Sequence, residues 1–118
     1  MKKILILDDN EDFLEMIKYV LGKKYTVFCI ADPGEIHQVL THFDPDLIII
    51  DHFIGSYNAA QILEKIKHLS SQRSIPIILF SGTHDIEIKA EELGVSGYIK
   101  KPSGIDHIRE YVGKFLDN

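Results

Sequence analysis

Cysteine is almost missing from this chain: Cys29 is the only one among 118 residues. A single thiol closes no internal disulfide, which excludes a disulfide-stapled scaffold and fits a reducing cytoplasm. Within its apolar stretch Cys29 reads as a small buried hydrophobe rather than a reactive thiol. No apolar run is long enough to cross a bilayer, so membrane insertion is not expected. Met1-Lys2-Lys3 leads into four apolar residues and then two aspartates, which leaves no h-region or cleavage site for a signal peptide. Basic charge is also scarce, with 13 Lys and Arg against 18 Asp and Glu for a net charge of -5, and direct nucleic-acid binding is disfavoured. The six histidines, at 37, 42, 52, 68, 84 and 107, share no metal-ligand spacing, and all but His52 read simply as surface residues. What is present, 45% hydrophobic and 26% charged residues over 118 positions, is expected of one globular domain over 1–118 with nothing left over for a second module.

The apolar residues fall into an alternation of strand and helix. KILIL, residues 3 to 7, is a first strand ending in Asp8-Asp9-Asn10, and Phe13, Met16, Ile17, Val20 and Leu21 then repeat at helical spacing. YTVFCI, residues 25 to 30, is a second strand. Asp32-Pro33-Gly34-Glu35 has the form of a helix start, followed by Ile36, Val39, Leu40 and Phe43. Leu47 to Ile50 are four consecutive large apolar residues without alternation, the pattern of a strand buried on both faces in a parallel sheet, and Asp51 ends it. HFIGSY reads as a loop, and Ala59, Ile62, Leu63, Ile66 and Leu69 form a third helical stripe. IPIILF, 75 to 80, is a fourth strand, with Ser81-Gly82-Thr83 after it. Ile86, Ala90 and Leu93 mark a fourth helix stopped by Gly94. Gly97 to Lys100 is a short fifth strand before Lys101-Pro102, and Ser103-x-x-Asp106 predicts the start of a last helix carrying Ile105, Ile108, Val112 and Phe115. Strand then helix, five times, implies an α/β fold with a parallel sheet covered on both faces.

Asp8, Asp9, Asp51, Ser81 and Lys101 all fall at the carboxyl ends of strands, where ligands of open α/β sheets bind. Taken alone, Asp51 reads equally well as the cap of the next helix, and Asp8 and Asp9 as acids favoured at a helix start. Together, three carboxylates on one rim repel one another unless a cation lies among them. Oxygen donors without His or Cys favour a hard ion such as Mg²⁺. A lysine and a hydroxyl beside that ion complete what phosphoryl transfer needs, with Asp51 as the nucleophile.

With LILDDNE, LIIID, LFSGT and GYIKKP in this order, the chain resembles the receiver domain of two-component response regulators along essentially its whole length. The resemblance implies a flavodoxin-like, doubly wound, five-stranded parallel sheet of order 2-1-3-4-5 with five helices. It implies that Asp51 accepts a phosphoryl group from a histidine kinase or a phosphotransfer protein and signals to a downstream protein effector. It also implies Mg²⁺ held by Asp9, Asp51 and the backbone carbonyl of Phe53, with Asp8 acting mainly through a metal-bound water. Ser81 would contact the phosphoryl oxygens, Lys101 would pair with their charge, Lys101-Pro102 would be cis, and Tyr98 would be the switch aromatic. Lys100 is the rival for the lysine role, but Lys101 directly precedes the proline. The pattern is broken after Asp51, where Gly55 and Ala59 stand in place of the family's proline and glycine. Phe53 borders the expected path of attacking water, and His52, next to the acceptor, has a side chain that titrates near neutral pH.

Two rival readings differ in class. A degenerate receiver would serve as a phosphorylation-independent interaction module, although all five site residues are present. An aspartyl-nucleophile phosphatase of the haloacid-dehalogenase type would carry Asp-x-Asp after its first strand, and here Asp8 is followed two residues later by Asn10. Of the receiver itself, self-catalysed phosphorylation and dephosphorylation are expected, without turnover of a separate substrate.

Overall fold

Unbroken apolar runs place the two central strands. A computed structural model describes the backbone of residues 1–54, 57–69 and 74–117 and the side chains of 1–52, 57–68 and 74–117. In it β1 (Lys3–Leu7) and β3 (Leu47–Asp51) are neighbours, and Ile4, Leu5, Leu47, Ile48 and Ile50 are fully enclosed. The remaining strands are β2 (Thr26–Ile30), the short β4 (Phe53–Ile54) and β5 (Tyr57–Asn58), β6 (Ile77–Ser81) and β7 (Gly97–Lys100). Five of them form one parallel sheet ordered β2-β1-β3-β6-β7. Counting only the strands of this sheet, that is the expected order 2-1-3-4-5.

Period-2 geometry sends alternate side chains of each strand to opposite faces. Ile4, Ile6, Ile49, Ile78 and Phe80 face α1 (Glu11–Leu21) and α5 (Ile105–Leu116). Leu5, Leu7, Ile48, Ile50 and Leu79 face α2 (Ile36–Phe43), α3 (Ala59–Leu69) and α4 (Ile86–Leu93). The chain leaves β1 for β2 on one side and returns to β3 on the other, so a crevice opens between the carboxyl ends of β1 and β3.

Local signals set most boundaries. Asn10 caps α1, its side chain accepting from the Phe13 N–H at 3.0 Å. Asp32 opens a 3₁₀ turn, Pro33–Glu35, that leads into α2. Asn58 and Gln61 exchange hydrogen bonds of 2.9 and 3.0 Å in a reciprocal capping box at α3. Gly94 ends α4 with φ 71°.

Several expectations need correcting. The buried face of α1 is Leu14, Ile17, Val20 and Leu21, while Met16 is exposed and Phe13 half-buried; Met16 lies roughly a third of a turn from the centre of that arc. Tyr25 precedes β2, where its hydroxyl donates to Asp117 at the end of α5. The fourth strand of the sheet runs 77–81 rather than 75–80, because Pro76 has no N–H to pair, although its carbonyl accepts from Ile48 at 3.0 Å. The cap of α5 is Gly104, not Ser103, and Ile105 is exposed. The segment expected as a loop after Asp51 contains the β4–β5 antiparallel ladder. Gly55 and the Phe53 ring lie outside the described residues. Among the described residues no helix is long and apolar enough to cross a membrane.

Candidate functional site

The carboxyl ends of β1 and β3 present three acids side by side. Asp8 is 2% exposed, Asp9 is exposed and Asp51 is half-buried, yet one oxygen of each lies within 4.8 Å of the others. Both oxygens of the buried Asp8 are engaged: Oδ1 accepts the Asn10 N–H at 3.0 Å and Oδ2 accepts Lys101 Nζ at 2.8 Å. Lys101 Nζ is also 3.8 Å from Asp51 Oδ1, which accepts the His52 N–H at 2.8 Å. Burial pushes the Asp51 carboxyl up from 3.8 to about 6, Lys101 opposing and Asp8 adding to it, with the His52 N–H lowering and Asp9 raising it further. The donor set is all oxygen, close-set and acidic, which fits a hard divalent ion rather than a thiolate- or imidazole-bound one.

A family model for the response regulator receiver domain matches residues 4–113 of this chain. The chain belongs to the response regulator receiver family. It is 30% identical over 116 residues to sporulation initiation phosphotransferase F of Bacillus subtilis (strain 168), across 98% of this chain and 94% of that protein. It is also 30% identical over 118 residues to regulatory protein VirG of Agrobacterium tumefaciens (strain 15955), spanning 97% of this chain but only 42% of VirG. Of solved structures, the Vibrio cholerae chemotaxis protein CheY4 superposes with a TM-score of 0.87 at 20% identity, covering 98% of this chain and 99% of that one, which shows the shared fold.

Lys101 and Ser81 lie at strand ends next to this acidic rim, and Tyr98 does not. Ser81 ends β6, 4% exposed; its Oγ accepts the Thr83 N–H at 3.2 Å and shares a 2.9 Å hydrogen bond with Thr83 Oγ1. The Ser81 carbonyl accepts the Lys101 N–H at 2.9 Å, which joins the two strand ends. Lys101-Pro102 is cis, and Lys101, not the exposed Lys100, reaches the acids. Tyr98 is half-buried on β7, and its hydroxyl pKa is raised by burial and then by the charge of Glu87 on α4. It stands against the helical layer, not among the acids. His52 is held below its usual pKa by burial and then by Lys89, with Asp85 opposing.

Three contributors were not picked out in the sequence. Asn10 links Asp8 to the first turn of α1, and Phe13 and Phe80 flank Lys101 at 4.6 and 5.3 Å from their ring centroids. Asn10 had a readable signal, an Asn three residues before Phe13 at a helix start. The two rings meet only in space, across α1 and β6.

Proposed function

We propose that the domain is a phosphorylation-dependent switch whose acceptor is Asp51. The observation that carries this reading is the convergence of Asp8, Asp9 and Asp51 within 4.8 Å, with the Lys101 ammonium 2.8 Å from one acid and 3.8 Å from another. The donor is the phosphohistidine of a histidine kinase or of a phosphotransfer protein. The match to sporulation initiation phosphotransferase F across 94% of that protein supports a role as a phosphorelay component.

In the proposed reaction a carboxylate oxygen of Asp51 bonds to phosphorus as the P–N bond to the donor imidazole breaks. The electron pair of that bond leaves with the imidazole, which takes a proton from solvent. Asp8, Asp9, Asp51 and the Phe53 carbonyl would hold Mg²⁺. When bound, Mg²⁺ neutralises charge on the phosphoryl oxygens and the acids around them. Lys101 faces the phosphoryl charge, and Ser81 exchanges its contact with Thr83 for one to a phosphoryl oxygen. Tyr98 then turns inward from Glu87, altering the α4–β7–α5 surface that a protein effector reads, a population shift driven by these new contacts.

Incubation with acetyl phosphate and Mg²⁺, followed by intact-mass measurement, tests the reading. The expected result is one acid-stable, base-labile phosphoryl group that is lost in Asp51→Asn and kept in a variant of the exposed Lys100, Lys100→Ala. No labelling at all favours a phosphorylation-independent interaction module. Steady phosphate release from many substrates favours an aspartyl-nucleophile phosphatase.

A further inference from the structure

The acidic rim alone does not explain how the Lys101 side chain is held. Its ammonium lies 4.6 Å from the Phe13 ring centroid and 5.3 Å from that of Phe80. The two rings meet edge to face, with centroids 5.0 Å apart and planes at 63°, so they form a corner with the ammonium seated in it. A lysine carries a point charge on a flexible four-carbon stem, and many rotamers would carry that charge off into water. An aromatic face carries negative charge density that attracts a cation within about 6 Å, whereas an aliphatic side chain would pack the stem and leave the ammonium unattracted.

The corner is tied to the acids it serves. Phe80 pairs with Asp51 in the sheet register and is 2% exposed, so its ring is fixed by the core. Phe13 is fixed through Asp8: the Phe13 N–H donates to Asn10 Oδ1, and the Asn10 N–H donates to Asp8 Oδ1. The other oxygen of Asp8 accepts Lys101. Acid, cap, ring and lysine thus close a loop of contacts in which moving any one member disturbs the next.

We infer that Phe13 and Phe80 are positioning residues for Lys101, an aromatic corner that keeps its ammonium against the acidic cluster before any phosphoryl group arrives. The inference rests on the reading of Asp51 as phosphoacceptor. Mono-, di- and trifluorophenylalanine at position 13 drain the ring's negative face with little change in volume, so packing is held nearly constant while the attraction falls. The measurement is the initial rate of Asp51 phosphorylation by acetyl phosphate with Mg²⁺ in excess, with circular dichroism confirming that each variant is folded. The rate should fall stepwise, by about three- to tenfold over the series, with Phe13→Leu at the low end and Phe13→Tyr near the parent. A flat series, or Phe13→Leu as fast as the parent, overturns the aromatic corner while leaving the acceptor reading intact. A parent that takes no label on Asp51 overturns the acceptor reading and the inference with it.

Discussion

Asp51 is a carboxylate that folding makes harder to ionise. Its pKa rises from 3.8 to about 6, so between those values the folded chain binds more protons than the unfolded chain, and stability falls as pH rises through that window. Below it both states are protonated and the cost vanishes; above it the cost is complete. Asp51→Asn, in chelator without metal, should therefore melt with the parent near pH 3.5 and be more stable by about 2 kcal/mol near pH 7, read from thermal midpoints across pH. Lys101 also compensates the charge of a second acid. Asp8 is 2% exposed and its charge is answered by Lys101 at 2.8 Å, so Lys101→Met strands a buried charge. Urea unfolding should register a loss of about 3 kcal/mol, most of it recovered when Asp8→Asn is added.

At the level of elements, legibility followed burial. The run Leu47 to Ile50 announced a central strand because both faces of β3 are covered, and Gly94 announced the end of α4 because φ 71° suits glycine. Where local pattern and tertiary contact disagreed, contact prevailed: Ser103 has the form of a cap, yet α5 begins after Gly104, and Tyr25 looks like strand but turns to Asp117. The capping box of α3 went unread because Asn58 and Gln61 sit beside a loop whose ladder has no strong strand signal. Asn58→Ala should cost about 1 kcal/mol in chemical denaturation. At the sheet edge a side chain on Gly97 would collide with the Tyr111 hydroxyl, which accepts the Tyr98 N–H at 3.0 Å. Gly97→Ala should destabilise by about 1–3 kcal/mol, and by less in a Tyr111→Phe background, a coupling that a double-mutant cycle measures.

For the whole molecule, topology does the gathering. The acids at 8, 9 and 51 meet Lys101, and Ser81 is joined to Lys101 through the backbone, because parallel strands all end on one side, and that convergence could be read from position alone. The aromatic corner could not, since it depends on how α1 packs across β6. If the acids hold Mg²⁺, the ion binds the folded state and stabilises it by linkage. Adding Mg²⁺ to chelator-treated protein should raise the thermal midpoint of the parent and leave Asp51→Asn nearly unmoved. The central claim is that the domain carries its phosphoryl group on Asp51, and fragment mass spectrometry of the acetyl phosphate-treated parent tests it most directly. The account predicts a single acyl phosphate on Asp51; a phosphoryl group on His52 or on any other residue, or none with Mg²⁺ in excess, would contradict it.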